Sequence, residues 1–159
     1  MKTKAIALFI ATVAYFLDQL SKYIILQQEN ITVYSSVKVT EFFNLVLVHN
    51  KGISFGMFSD HDQPLILTAI AAVIIFMLLG WLYKNKSVAV AIGIGLIIGG
   101  AIGNVTDRLR YGAVVDFLDF YIGDYHWPAF NLADSFVFIG VVVLCVYSMF
   151  FEQKSTQEK

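Results

Sequence analysis

The sequence predicts an all-α membrane protein: four transmembrane helices with a small β-sheet at the membrane surface between the first and second. Three observations carry that prediction. The chain of 159 residues is 58% hydrophobic, with a mean hydropathy of +0.70. Only 14% of it is charged, against about 25% in an ordinary soluble domain. Four apolar stretches, at residues 5–26, 64–83, 88–106 and 132–151, each approach the roughly 20 residues a helix needs to cross a hydrocarbon core about 30 Å thick. The whole chain, 1–159, reads as one integral membrane domain.

The first span follows Lys2 and Lys4, lacks a small-x-small cleavage site and stays apolar beyond Ser21. It therefore reads as a retained helix and not as a removable signal. The second begins at Pro64, where a first helical turn tolerates proline, and ends in Trp81 and Tyr83, suited to the membrane interface. In the third, Gly95, Gly99 and Gly103 recur at every fourth position and Asp107 continues the row. Small residues at that spacing let helices approach closely in lipid, so Asp107 should face packed protein. The fourth span runs into Glu152 and a polar tail, QKSTQEK.

Residues 84–87 (KNKS) make a short basic turn, which leaves the longer connections 27–63 and 107–131 together on the other side. In the first connection, Val33, Ser35, Val37 and Val39 alternate within a β-branched and aromatic run, the pattern of a pair of short strands. The side of the termini carries six Lys and Arg outside the spans and the loop side five. Positive charge next to the first span weighs most in orientation, and the KNK turn adds to it. Both termini are thus expected in the cytoplasm and the long loops on the outer side. Ten of the twelve acidic residues fall on the loop side, where any chemistry is expected.

Composition narrows that chemistry. A net charge of −1 gives no nucleic-acid footprint. Cys145 has no intramolecular partner and reads as an inert small hydrophobe. Three His residues, no H-E-x-x-H and no triad spacing among Ser21, Ser54, Ser135, His49, His61 and His126 leave no expected metal or cofactor. Carboxylates remain. Ionisable groups cost about 2.5–3.5 kcal/mol at the centre of a span and less near its ends, which marks those present as functional candidates.

Four aspartates lie at or near the outer helix ends: Asp18, Asp107, Asp116 and Asp134. Asp134 follows Asn131 by three residues in FNLADS. That spacing fits a helix cap; equally, an acid at the mouth of an apolar helix is partly desolvated and usable as a general acid or base. Asp116 sits inside the apolar run GAVVDFLDF. It either caps a turn or pairs with Arg108 or Arg110, or it partners Asp134. Two carboxylates brought close share one proton, so that one activates water while the other protonates the leaving group. Asn104, Asp107 and Arg108 share one helical face and read as a supporting network. Asp18 and Lys22, four residues apart with Gln19 and Ser21 beside them, form a local ion pair or reach another helix. Asp119, Asp124 and His126 read as loop residues. Two other classes compete: a small proton- or ion-coupled transporter subunit, and an assembly factor pairing through the glycine row.

Taken together, LDQLSKY (17–23), HNKGISFGMF (49–58), GGAIGNVTDR (99–108), VVDF (114–117) and PAFNLADS (128–135) resemble the lipoprotein signal peptidases, or type II signal peptidases, of bacterial inner membranes. The pieces occur in the family's order across nearly the whole chain. The resemblance implies a four-helix aspartyl endopeptidase whose periplasmic sheet cradles the substrate, with Asp116 and Asp134 as the catalytic dyad. It places Asp18, Asn50, Gly52, Gly103, Asn104, Asp107, Arg108, Asn131 and Ala133 as fold support or substrate contacts, and Lys22 joins them beside Asp18. The implied substrate is a prolipoprotein with a diacylglyceryl-modified cysteine, cut just before that cysteine. Membrane lipids are the other expected partners, and a monomer suffices because both acids come from one chain. Ser54 stands where Ala is common in the family, which bears only on fine substrate preference. Phe42, Phe43, Phe55 and Phe58 would hold acyl chains or shield the site from water, or else anchor the interface.

Overall fold

Each apolar stretch becomes a helix in the computed structural model, which describes residues 2–33, 35–52 and 63–152. The expectations on Ser54, Phe55, Phe58, His61 and the tail 153–159 lie outside the described residues. The helices are α1 (Lys2–Leu26), α2 (Gln63–Lys84), α3 (Val88–Tyr111) and α4 (Leu132–Tyr147), the last running on into a π-helical turn at Ser148–Glu152. All four are long and apolar enough to cross a membrane. The third exceeds the apolar stretch 88–106 because nothing breaks it before Gly112. There φ is +67° and the Gly112 N–H closes the helix on the Arg108 carbonyl, a left-handed end that glycine adopts without strain. Asp107 and Arg108 are consequently helical residues.

The central helix is α3, packed against α1 on one side, α4 on another and α2 on a third. Gly95 and Gly99 make the α1 contact possible. A Cβ on Gly95 would lie 2.7 Å from the Ala7 carbonyl oxygen, and one on Gly99 would lie 2.5 Å from that of Ala11. Around this seam Ala7, Val90, Ala91, Ile94 and Ile97 form an apolar core. The outer helix α2 keeps Leu65, Phe76 and Met77 exposed, as lipid-facing side chains are.

The sheet is larger than expected and is not confined to the connection between α1 and α2. Strands β1 (Val37–Thr40) and β2 (Phe43–Asn50) arise there, but β3 (Val114–Ile122) and β4 (Tyr125–His126) arise between α3 and α4. All pair antiparallel in the order β1-β2-β3-β4. The strand β3 shows no alternation in the sequence because Val114, Val115, Asp116 and Phe117 are all buried, on both faces. A second apolar cluster, in which Ile25, Ile31 and Phe117 meet Val37, Leu45 and Leu132, holds the sheet against the helix ends.

Candidate active site

Strand β3 carries Asp116 opposite Val48 of β2. The side chain is 2% exposed and receives two amide hydrogen bonds. Asn131 Nδ2 donates to Oδ1 at 2.7 Å and Asn50 Nδ2 donates to Oδ2 at 2.9 Å. The orientation of Asn50 is fixed from its other end, where the Gly52 N–H donates to Asn50 Oδ1 at 3.0 Å. Gly52 has a φ of +131°, a conformation that favours glycine. Burial pushes the Asp116 carboxyl up from 3.8 to about 6. The Asn50 and Asn131 bonds pull it down, and the Asp134 charge adds to the rise.

The second carboxyl, Asp134, lies half-buried in the first turn of α4, where it is a capping acid. The Asp134 N–H donates to Asn131 Oδ1 at 2.9 Å and the Asn131 N–H returns a bond to Asp134 Oδ2 at 3.2 Å, a reciprocal capping box. Asp134 Oδ1 accepts from Asn104 Nδ2 at 2.8 Å. Asn131, fully buried, therefore touches both acids and also donates to Asn104 Oδ1 at 3.1 Å. Among the described residues the two carboxyls share no direct hydrogen bond; Asn131 spans them, with its side-chain Nδ2 on Asp116 and its main-chain N–H on Asp134.

Behind the pair lies a buried ionic cluster. Lys22 Nζ is 2.9 Å from Asp18 Oδ2, 2.8 Å from Asp107 Oδ2 and 3.2 Å from Asn104 Oδ1. Both readings of Asp18 and Lys22 are thus realised, the local ion pair and the contact to another helix. Gln19 Nε2 donates to Asp18 and to Asp107, each at 3.1 Å. The cluster grips the carriers of both acids. Asp18 Oδ1 accepts the Ala133 N–H at 3.0 Å, next to Asp134, while Asp107 Oδ2 accepts the Val115 N–H at 3.2 Å, next to Asp116. Gly103 leaves room for this arrangement, since a Cβ there would overlap the Asp18 carboxylate. The small, buried Ala133 lies against the same spot.

Asp116 is not simply paired with an arginine. Arg110 Nη1 reaches Gln19 Oε1 at 3.4 Å, and Arg108 forms no salt bridge among the described residues. The Arg108 guanidinium lies within electrostatic reach of Asp134, Asp116 and Asp107, and its buried Nε has no hydrogen-bond partner. Gln19 deserved a place among the expected site residues, and its signal was its position between Asp18 and Lys22. Asp119 and His126 are corrections of another kind. Asp119 is buried on β3, accepting from Asn44 Nδ2 at 3.0 Å and bonded to His126 Nδ1 at 2.9 Å. Three residues from Asp116 on a strand, it faces the other side of the sheet and braces the β3–β4 hairpin. Beside Asp134 opens an apolar pocket of about 420 Å³, lined by Trp127, Phe130, Ser135, Phe138 and Ile139.

Four apolar helices with their buried polar side chains gathered at one end define a multi-pass membrane protein with a polar site at the helix ends. The sequence model of the signal peptidase (SPase) II family matches residues 10–151. A lipoprotein signal peptidase from Aeromonas hydrophila is 46% identical over 152 residues, covering 92% of this chain and 90% of the relative. One from Alteromonas mediterranea is 43% identical over 143 residues, covering 87% and 78%. A solved structure described as a bacterial membrane enzyme, obtained by the in meso method, superposes with a TM-score of 0.82 at 30% identity, covering 91% of this chain and 93% of the other. The chain belongs to the signal peptidase II family.

Proposed function

We propose that this protein is an intramembrane aspartyl endopeptidase that removes the signal peptide from diacylglyceryl-modified prolipoproteins, cutting before the lipidated cysteine. The observation that carries the reading is the bridge through Asn131. Two carboxyls from separate elements, a strand and a helix start, are held by one buried residue, Asn131, whose side-chain Nδ2 donates to Asp116 and whose main-chain N–H donates to Asp134, and both carriers are tied to the same ionic cluster. In the proposed pair one carboxyl works ionised while the other holds the proton. The ionised member takes a proton from water as its oxygen attacks the scissile carbonyl, and the protonated member donates to the carbonyl oxygen. The resulting gem-diol collapses as its C–N bond breaks: the carboxyl protonated by water gives its proton to the leaving amine, and the other carboxylate takes back a proton from a gem-diol hydroxyl. Asn50, Asn104 and Asn131 hold the carboxyls in place, and the Arg108 guanidinium, within electrostatic reach of both, helps to orient them.

The names of the relatives support a lipoprotein substrate. The pocket beside Asp134 offers an apolar wall to a signal helix or an acyl chain. Lys2, Lys4, Lys84 and Lys86 lie at the end of the bundle opposite the acids, which favours cytoplasmic termini and a site near the periplasmic face of the inner membrane. A transport path is disfavoured, because the acids gather at one end and α2 carries no ionisable residue before Tyr83 and Lys84. The test is a cleavage assay of detergent-purified protein on a prolipoprotein with and without the diacylglyceryl group, read by product mass. Release of a fragment beginning at the lipidated cysteine, from the lipidated form alone, is expected. Cleavage elsewhere, or indifference to the lipid, would refute the proposal.

A further inference from the structure

The far end of the bundle holds a second, unassigned cleft. Helices α1 and α2 both pack on α3 but scarcely on each other, because Gly95 and Gly99 draw α3 tightly onto α1 while α2 meets it from another side. The gap has a volume of about 360 Å³ and is lined by Lys4, Ala7 and Ala11 of α1, Leu79 and Tyr83 of α2, and Ile98 of α3. That size lies within the range of small-molecule sites. Its walls are apolar, and from Lys4 to Ala11 it runs about 10 Å along the helix.

Its mouth is cationic. Lys4 Nζ sits 3.7 Å above the Tyr83 ring, a cation–π contact that holds the ammonium at the rim. The first turns of α1 and α3 hold no acid, and Lys2, Lys84 and Lys86 lie at the same end. An apolar throat beneath a cluster of lysines at the end of membrane-spanning helices matches the two halves of one kind of molecule. We propose that the cleft between α1 and α2 binds an anionic glycerophospholipid of the surrounding leaflet, with an acyl chain against Ala11, Leu79 and Ile98 and the phosphate at Lys4.

The test is retention of lipid by purified protein in native mass spectrometry, with phosphatidylglycerol and phosphatidylcholine of matched chains offered together. The variants are Lys4→Glu, which reverses the charge at the rim, and Leu79→Trp, which fills the cleft from its exposed α2 side. Neither touches the carboxylate site, so prolipoprotein cleavage and thermal melting report that both remain folded. The wild type is expected to prefer phosphatidylglycerol, Lys4→Glu to weaken that preference about fivefold or more, and Leu79→Trp to abolish it. Equal retention of the two lipids by the wild type would overturn the proposal. So would a preference left unchanged by Lys4→Glu or still present in Leu79→Trp, since the cleft alone or the lysines alone would then account for it.

Discussion

Replacing Asp116 by Asn removes a buried charge while keeping the shape of the side chain, and the structure gives the size and sign of the result. Its carboxyl is raised from 3.8 to about 6, a shift of about two units, or about 3 kcal/mol at roughly 1.4 kcal/mol per unit. Below about pH 4 the group is protonated whether the chain is folded or unfolded, and no penalty arises. Between pH 4 and 6 the folded chain keeps a proton that the unfolded chain has released, so the native state loses stability as pH rises. Above about pH 7 the full penalty stands. Asp116→Asn lacks it, but its amide would oppose the Asn50 Nδ2 donor, a pH-independent loss of about 1–2 kcal/mol. The variant is therefore expected to be more stable than the wild type by about 1–2 kcal/mol at pH 7.5, with the difference between the two growing by about 3 kcal/mol from pH 4 to 7.5. For a chain of this size that growth corresponds to roughly 6–12 °C in melting temperature. Tryptophan fluorescence melts in detergent across that range measure it. A difference that stays constant or shrinks as pH rises would refute the assignment of Asp116 as a desolvated acid.

Three further substitutions probe the supporting groups. Lys22→Met leaves Asp18 and Asp107 facing each other in the interior and is expected to cost about 3–5 kcal/mol; a melting temperature near that of the wild type would contradict the buried cluster. Gly103→Ala drives a methyl group into the Asp18 carboxylate. It should cost about 1–3 kcal/mol and lower the cleavage rate through the lost hold on Ala133, and unchanged melting and rate would count against it. Asn131→Ala removes a helix cap worth about 0.5–2 kcal/mol and a bond that favours ionised Asp116. The acid limb of the rate–pH profile should accordingly move to higher pH, and an unmoved limb would show that Asn131 does not act on Asp116.

Much of this site was legible because membrane burial makes polar residues conspicuous. Asp107 fell in register with Gly95, Gly99 and Gly103, which placed it facing protein, and the structure buries it to 1% exposure. The Asn131 and Asp134 spacing gave the capping box directly. Other parts had no local signature. Strand β3 is buried on both faces at the end that carries Asp116, so the period that marks a half-exposed strand is missing, and its length and its pairing with β2 were not foreseen. Asp119 reads as a solvated loop residue until β4 folds His126 over it. The tie from Asp107 to Val115 and the one from Asp18 to Ala133 involve main-chain N–H groups, which every non-proline residue carries, so no residue type announces them.

The central claim is that Asp116 and Asp134 are the acid–base pair, and single-turnover cleavage of a lipidated prolipoprotein by the wild type, Asp116→Asn and Asp134→Asn tests it most directly. All three proteins would first be matched for folding by their melting curves. The account predicts no detectable product from either variant while the wild type completes its turnover. Near-normal cleavage by a folded Asp116→Asn or Asp134→Asn would contradict it.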